Sequence, residues 1–216
     1  MHPQPKISMK VLLGKKAEKF LVGIPIAKSI ITKDIKKAEK SIKEYPVVLK
    51  IISSKASHKT DIGGVKIVNN KQELEKEFNS LIKLSKTKKL PLEGILIQEY
   101  IKGREVIIGI KNDPSFGHAI MFGIGGIMVE VLKDVSFRIC PIEESDAESM
   151  IEELKTKQIL YGVRGENSVN INLLKKILVQ ASLIPKKHKN IEELDINPLI
   201  INDKEAKAVD VRVSVK

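Results

Sequence analysis

The chain has 216 residues, a formal net charge of +11, 4% aromatic residues and one cysteine, Cys140. It is long enough to bury a core as one large domain or two small lobes; the lone cysteine excludes an internal disulfide, and with no apolar run of membrane-spanning length the expectation is a soluble, cytoplasmic protein. The positive excess points to an anionic partner, but lysines alternate with acids along the predicted helices and aromatics are scarce, which argues against a base-stacking nucleic-acid platform.

Residues 10–22 carry apolar side chains at Val11, Leu12, Leu13, Ala17, Phe20 and Leu21, a roughly helical stripe closed by Gly23. Ile24-Pro-Ile-Ala is expected as a short edge strand, where proline is tolerated. Asp34 is placed to cap a helix reaching about Lys43, with Ile35, Ala38 and Ile42 inward. The run Pro46-Val-Val-Leu-Lys50-Ile-Ile and the segment Val65-Lys66-Ile67-Val68 read as two strands. Between them lies a polar loop, Ser53-Ser-Lys-Ala-Ser-His58-Lys-Thr-Asp-Ile-Gly63-Gly64. Gly63 and Gly64 let backbone N–H groups approach an anion, lysines such as Lys66 add mobile positive charge, and an imidazole such as His58 can accept a phosphoryl group. The same residues also describe a solvated loop with an idle histidine, and local chemistry leaves both readings open.

Asn70 can cap the next helix, where Leu74, Phe78, Leu81 and Ile82 repeat at helical spacing. Ile95-Leu-Ile-Gln-Glu99-Tyr-Ile and Glu105-Val-Ile-Ile-Gly-Ile are expected as the arms of a β-hairpin turned at Lys102-Gly103. Glu99 and Glu105, one on each arm, serve either edge-strand solubility or hydrogen bonding to a nucleotide's adenine or ribose. After a turn over residues 112–117, the apolar stretch 119–132 is interrupted by Gly123, Gly125 and Gly126, the mark of a bulge or of a ligand's close approach. The spacing is not that of a dinucleotide fingerprint, and no Walker A lysine motif occurs.

Ser145-Asp-Ala-Glu148 is a capping-box pattern opening a helix with Ala147, Met150, Ile151 and Leu154 inward. A further helix over about residues 168–183 buries Ile171, Leu174, Ile177, Leu178 and Ala181. The chain closes with a strand, Glu193-Leu-Asp195-Ile-Asn197-Pro-Leu-Ile-Ile, a turn at Asp203-Lys204, and a returning strand through Ala208-Val-Asp210-Val. Symmetry about that turn places Asn197 directly opposite Asp210, with Cβ atoms roughly 5 Å apart. Asp195 adds a third oxygen group on the same face. On an otherwise apolar hairpin this set suits a Mg²⁺ that carries phosphates better than it suits plain solvation.

These elements, in this order, resemble the ATP-grasp β subunit of ADP-forming acetyl-CoA synthetases. The resemblance rests on Pro46-Val-Val-Leu-Lys-Ile, Ser57-His-Lys-Thr-Asp-Ile-Gly-Gly-Val, and Met121-Phe-Gly-Ile-Gly-Gly-Ile-Met-Val-Glu-Val-Leu-Lys-Asp-Val-Ser-Phe-Arg. Glu192-Glu-Leu-Asp-Ile-Asn-Pro and Ala208-Val-Asp complete it. It implies an α+β ATP-grasp fold, a single domain whose two lobes, about 1–110 and 111–216, grip a nucleotide between them. It implies that Lys50 contacts ATP phosphates, that Glu99 and Glu105 hold the adenosine end, and that Asn197 and Asp210 ligate Mg²⁺. His58 matches a histidine that relays a phosphoryl group to ADP, and Asp195 a carboxylate that orients it. Gly125, Gly126 and Arg138 would line the phosphate channel. The implied partner is an α subunit carrying the CoA-binding and acyl-phosphate-forming parts, in an α2β2 heterotetramer. Two other readings are a different ATP-grasp ligase, which would have no use for His58, and a basic nucleic-acid-binding module.

Overall fold

The computed structural model describes residues 9–53, 62–126, 131–163, 165 and 167–216. The chain divides into two compact units. One is the continuous segment Ala27–Ile101, and the other combines Met1–Ile26 with Lys102–Lys216. The division differs from the expected lobes, because position 110 falls inside a continuous strand and the first 26 residues belong with the C-terminal part.

The Ala27–Ile101 unit is an antiparallel sheet of four strands, β2 (Ser29–Thr32), β5 (Gly94–Glu99), β3 (Val47–Ile52) and β4 (Val65–Val68), in the order β2-β5-β3-β4. One face is covered by α2 (Ile35–Ser41) and α3 (Lys71–Thr87), and Val47, Leu49, Ile51, Ile95 and Ile97 share a core with Ala38, Leu74, Phe78 and Leu81. Both helices begin where their caps predict. The Asp34 carboxylate accepts the Lys36 N–H at 2.8 Å, and the Asn70 side-chain oxygen accepts the Glu73 N–H at 3.0 Å. Glu73 reaches back to accept the Asn69 N–H at 2.9 Å, which satisfies a further donor before the first turn.

The other unit is a seven-stranded antiparallel sheet. Its order is β1 (Lys10–Leu13), β11 (Val211–Val215), β9 (Ile191–Ile201), β6 (Arg104–Asp113), β7 (Gly117–Ile124) and β8 (Val135–Ile139), with β10 (Ala206–Ala208) paired to β9. The short α1 (Lys15–Glu18), α4 (Glu144–Glu152), α5 (Gln158–Tyr161), α6 (Ile171–Ser182) and α7 (Ile184–Lys187) complete it. Val106, Ile108, Ile110, Ile120, Phe122, Leu194, Ile196, Val211 and Val213 point to one face and form a single core with Met150, Ile151, Leu174, Ile177 and Leu178. The opposite face carries the alternate residues of each strand.

Four expectations are corrected here. Residues 10–22 are not one helix: Lys10–Leu13 pair with Arg212–Val215 as an edge strand, and Gly14 at φ 53 separates it from α1. Leu12 packs on the core while Val11 and Leu13 stay exposed, so the apolar run obeys a period of two once a neighbouring strand is present. Ile24-Pro-Ile-Ala makes only an isolated bridge, Ile26 to Ala208. The segments 95–101 and 105–110 are not hairpin partners, since β5 lies between β2 and β3 while β6 lies between β7 and β9. Gly103 is needed for another reason: a Cβ there would stand 2.4 Å from the Ile201 carbonyl oxygen. Finally, α4 starts two residues earlier than the Ser145 pattern, with Glu143 in place of Ser145 at the N-cap and its N–H donating to Asp146 Oδ2 at 2.9 Å.

Gly103→Ala is therefore expected to destabilise the protein by roughly 1–3 kcal/mol, because backbone must move to admit the methyl group. Chemical denaturation of the variant measures it.

Candidate functional site

The C-terminal hairpin carries the most informative irregularity. Along β9 the core residues are Leu194 and Ile196, then Leu199 and Ile201, so the alternation slips at Asn197-Pro198. On β6, Val106 faces Leu199 and Ile108 faces Ile196, so one residue of β6 opposes two of β9. Proline has no N–H to lose, and a bulge is where a strand tolerates it; bulges also re-aim side chains. On the other side the register is constant through the slip, Ile196 against Val211 and Leu199 against Ala208. Asn197 thus stands opposite Asp210, as the symmetric hairpin predicts. Its N–H donates to the Asp210 carbonyl at 3.0 Å, and the Val209 N–H donates to the Pro198 carbonyl at 3.0 Å.

Two residues back, Asp195 lies in a row that crosses the sheet. Its neighbours are Arg212 on β11 and Gly109 on β6, and the row continues to Leu13 at one end and through Met121 to Phe137 at the other. Burial, aided by the negative charges of Glu193 and Asp210, pushes the Asp195 carboxyl up to about 6, and Arg212 offsets only part of this. Asp195 and Asp210 therefore feel each other across the sheet face. A cation placed there relieves the repulsion, and the oxygens of Asp210 and Asn197 are the hard ligands that Mg²⁺ prefers. Among the described residues no group of three or more His, Cys, Asp or Glu could hold a metal ion. Two protein oxygens, with the rest of the shell from phosphates and water, is the usual pattern for Mg²⁺ held with a nucleotide.

The remaining predicted residues divide between the units. Lys50, Gly63, Gly64, Lys66 and Glu99 belong to Ala27–Ile101; Glu105, Gly125, Gly126, Arg138, Asp195, Asn197 and Asp210 belong to the other. His58 lies outside the described residues. Lys50 is 8% exposed and projects from the face of its sheet opposite α2 and α3, between Leu96 and Val65. Gly63 sits at φ 74, and the Gly64 carbonyl accepts the Ile51 N–H at 2.9 Å. Lys66 points the other way, toward α3, with its Nζ 3.9 Å from Glu77.

Glu99 accepts the Lys28 N–H through Oε1 at 2.7 Å, which ties down the approach to β2. Glu105 is exposed at the start of β6. The Gly125 N–H donates to the Glu105 carbonyl at 2.7 Å, and a Cβ on Gly125 would stand 3.0 Å from Glu105 Cβ, so this glycine answers a close approach of backbone. Gly126 follows at φ 71. Arg138 does not join the Asp195 row. It lies on the helix side of β8 and pairs with both oxygens of Glu153, donating at 3.1 Å in one of the two contacts, and that carboxylate holds its charge in place. Sequence reasoning missed Arg212, whose place beside Asp195 comes only from the register of β11 on β9.

A sign follows for Asp195. Below about pH 4 the folded and unfolded chains both carry its proton; between about pH 4 and 6 the unfolded chain ionises first, so the group costs stability as pH rises and the full cost stands above about pH 7. Asp195→Asn is expected to stabilise the protein at pH 7.5 by on the order of 1–2 kcal/mol after solvent screening, and to leave it unchanged at pH 3.5. Thermal unfolding at the two pH values measures this.

Residues 8–215 match the ATP-grasp domain family. The chain is 43% identical over 199 residues to acetate–CoA ligase [ADP-forming] I subunit beta of Pyrococcus furiosus, covering 89% of this chain and 86% of that one. It is 41% identical to the 4-hydroxybutyrate–CoA ligase [ADP-forming] of Nitrosopumilus maritimus, of which it spans 29% of the length and which covers 89% of this chain. Its fold matches the dinucleotide-forming acetyl-coenzyme A synthetase 1 of Ca. Korarchaeum cryptofilum in complex with coenzyme A and Ca-AMPCP, with a TM-score of 0.89, 40% identity, and coverage of 96% of this chain and 94% of that chain. A second structure of that protein holds Mg-AMPPCP, with a phosphohistidine segment pointing towards the nucleotide binding site; its TM-score is 0.81 at 38% identity, over 96% of this chain and 93% of that one. The chain belongs to the ATP-grasp family, among the beta subunits of the ADP-forming acetate–CoA ligases.

Proposed function

We propose that this chain is the nucleotide-binding half of an ADP-forming acyl-CoA synthetase and that it carries a phosphoryl group on His58 to a magnesium-bound nucleoside diphosphate. The net reaction is acyl-CoA + ADP + phosphate ⇌ carboxylic acid + CoA + ATP. The observation that carries the reading is the pairing of Asn197 with Asp210 at the β9 bulge, with Asp195 two residues away on the same strand. The names of the Pyrococcus relative and of the Korarchaeum structure with its phosphohistidine segment support it.

Each residue has a physical task. Asn197 and Asp210 would hold Mg²⁺, which neutralises phosphate charge in the bound nucleotide. Lys50 supplies a point charge to phosphate oxygens, and Gly63, Gly64, Gly125 and Gly126 leave backbone N–H groups accessible to them. Glu99 and Glu105 accept hydrogen bonds from the adenosine end. Asp195 would serve as the carboxylate that orients the relay histidine, fixing its tautomer so that the other nitrogen can attack phosphorus. The N–P bond forms as the bond to the departing oxygen breaks, and transfer to the diphosphate reverses this. Little covalent chemistry is asked of the protein beyond positioning and charge neutralisation.

The acyl phosphate must be formed elsewhere, on a partner α subunit that binds CoA, and we place the two chains in an α2β2 assembly in the cytoplasm. Among the described residues, no helix is long and apolar enough to cross a membrane.

With the partner chain present, wild-type protein incubated with γ-³²P-ATP and Mg²⁺ is expected to take up acid-labile label at His58. His58→Ala should lose the label and about 10³-fold or more in turnover, while binding Mg-ATP within about threefold of wild type. Full turnover in that variant would leave another ATP-grasp ligase as the better reading. Asp210→Ala is expected to weaken nucleotide binding about tenfold or more with Mg²⁺ present and little with EDTA. Calorimetric titration in the two conditions decides it, and equal losses would remove Asp210 from the metal site.

A further inference from the structure

We infer that Arg212 is a phosphate-binding residue: its guanidinium takes the terminal phosphoryl group of a nucleotide whose magnesium sits at Asn197 and Asp210. The inference rests on the proposed magnesium site and on Asp195 as its transfer end, and adds a protein cation to them.

The choice of residue is the first observation. Four of the 38 basic residues are arginine, so lysine is this chain's default cation and an arginine asks for a reason. A guanidinium differs from an ammonium in offering a planar fork of N–H donors that matches two oxygens of one carboxylate or phosphate. Arg138 uses its fork in that way, on both oxygens of Glu153. Arg212 has carboxylates around it as well. Asp195 is its direct register partner on β9, Glu193 is one diagonal step away opposite Ser214, and Asp210 is two residues back on its own strand. Side chains directly opposite one another on neighbouring strands are close enough to pair. Among the described residues Arg212 nevertheless forms no ion pair and no side-chain hydrogen bond. It is exposed, while Val211 and Val213 on either side of it turn into the core. Its fork is therefore offered off the sheet face, where it suits an anion from outside the chain.

The position says which anion. Asp210 and Arg212 are two residues apart, about 7 Å along one strand and on one face. Asn197 stands opposite Asp210, and Asp195 stands opposite Arg212. Neighbouring rows across β9 and β11 thus carry an oxygen pair and, next to it, a carboxylate beside a guanidinium. A divalent cation at the first row brings phosphates with it, and a phosphate extending over the second row is drawn to Arg212 and repelled by Asp195. In the proposed reaction Asp195 marks the end at which the phosphoryl group is transferred, so the phosphate over its row is the terminal one. The charge spread over three oxygens during transfer then falls on a fork already held in place by the strand. An apolar ligand gains nothing from these groups, and a second metal ion is opposed by Arg212.

The test compares two nucleotides on the full chain assembled with its partner: Mg-ADP, and Mg-bound β,γ-methylene ATP, which adds the terminal phosphate without being cleaved. In calorimetric titration Arg212→Ala is expected to weaken the ATP analogue about tenfold or more and Mg-ADP by no more than about twofold. Arg212→Lys, which keeps the charge and loses the fork, should recover part of the difference. Both variants should unfold close to the wild-type temperature, since the side chain is exposed and holds no partner in the fold. The selective loss should persist in an Asp195→Asn background. Its disappearance there would show that Arg212 acts only through the charge of Asp195, and overturns the inference. Equal losses for the two nucleotides, or no loss for either, overturn it as well. The comparison involves no transfer, so a selective loss upholds Arg212 even where wild type takes up no ³²P from γ-³²P-ATP, an outcome that overturns the relay alone.

Discussion

The register of β9 against its two neighbours is the constraint on which the site depends. On the β11 side the pairing is kept through the irregularity, so Asn197 meets Asp210 and Asp195 meets Arg212. On the β6 side it slips by one residue, so the strand absorbs Pro198 without an unsatisfied donor and still returns Leu199 and Ile201 to the core. Had β9 kept strict alternation past Ile196, Leu199 would have turned away from the helices and the apolar tail of the strand would have faced solvent. The same irregularity that preserves the core leaves Asn197 opposite Asp210 on the β11 side.

Electrostatics then give that geometry a use. A half-buried carboxylate beside two others holds its proton well above the usual carboxylate range, and one arginine does not compensate. The arrangement costs stability in the free protein. A divalent cation placed beside it would favour the ionised form.

Much of the fold was legible because it is written locally. Asp34 and Asn70 cap helices for reasons contained within three or four residues, and the β-branched run at residues 46–52 could hardly be anything but a strand. The Asn197–Asp210 register followed from counting outward from one turn. The failures are of another kind. Leu12 and Leu13 read as helix until β11 lies beside them, and Gly103 reads as a hairpin turn until Ile201 is seen packed against it. Arg138 and Lys66 carry charges that fit a phosphate channel, but each sits on the helix side of its sheet and faces a glutamate, Glu153 and Glu77, that lies elsewhere in the sequence. Strand alternation settles which face a side chain takes only after the core side is known.

The pairing of β1 with β11 joins Lys10 to Val215, nearly the whole chain apart, and the segment Ala27–Ile101 lies inside the loop it closes. During synthesis the inserted unit has all its strands before the surrounding sheet has even its second, so it can fold while Lys10–Leu13 waits as an unpaired ribbon. The large sheet gains that edge only when residues 211–215 arrive. Non-local closure of this kind is slow relative to hairpin formation. For much of the chain's assembly the backbone N–H and C=O groups of Lys10–Leu13 therefore have no β11 to pair with, an open strand edge of the kind that invites association with other chains.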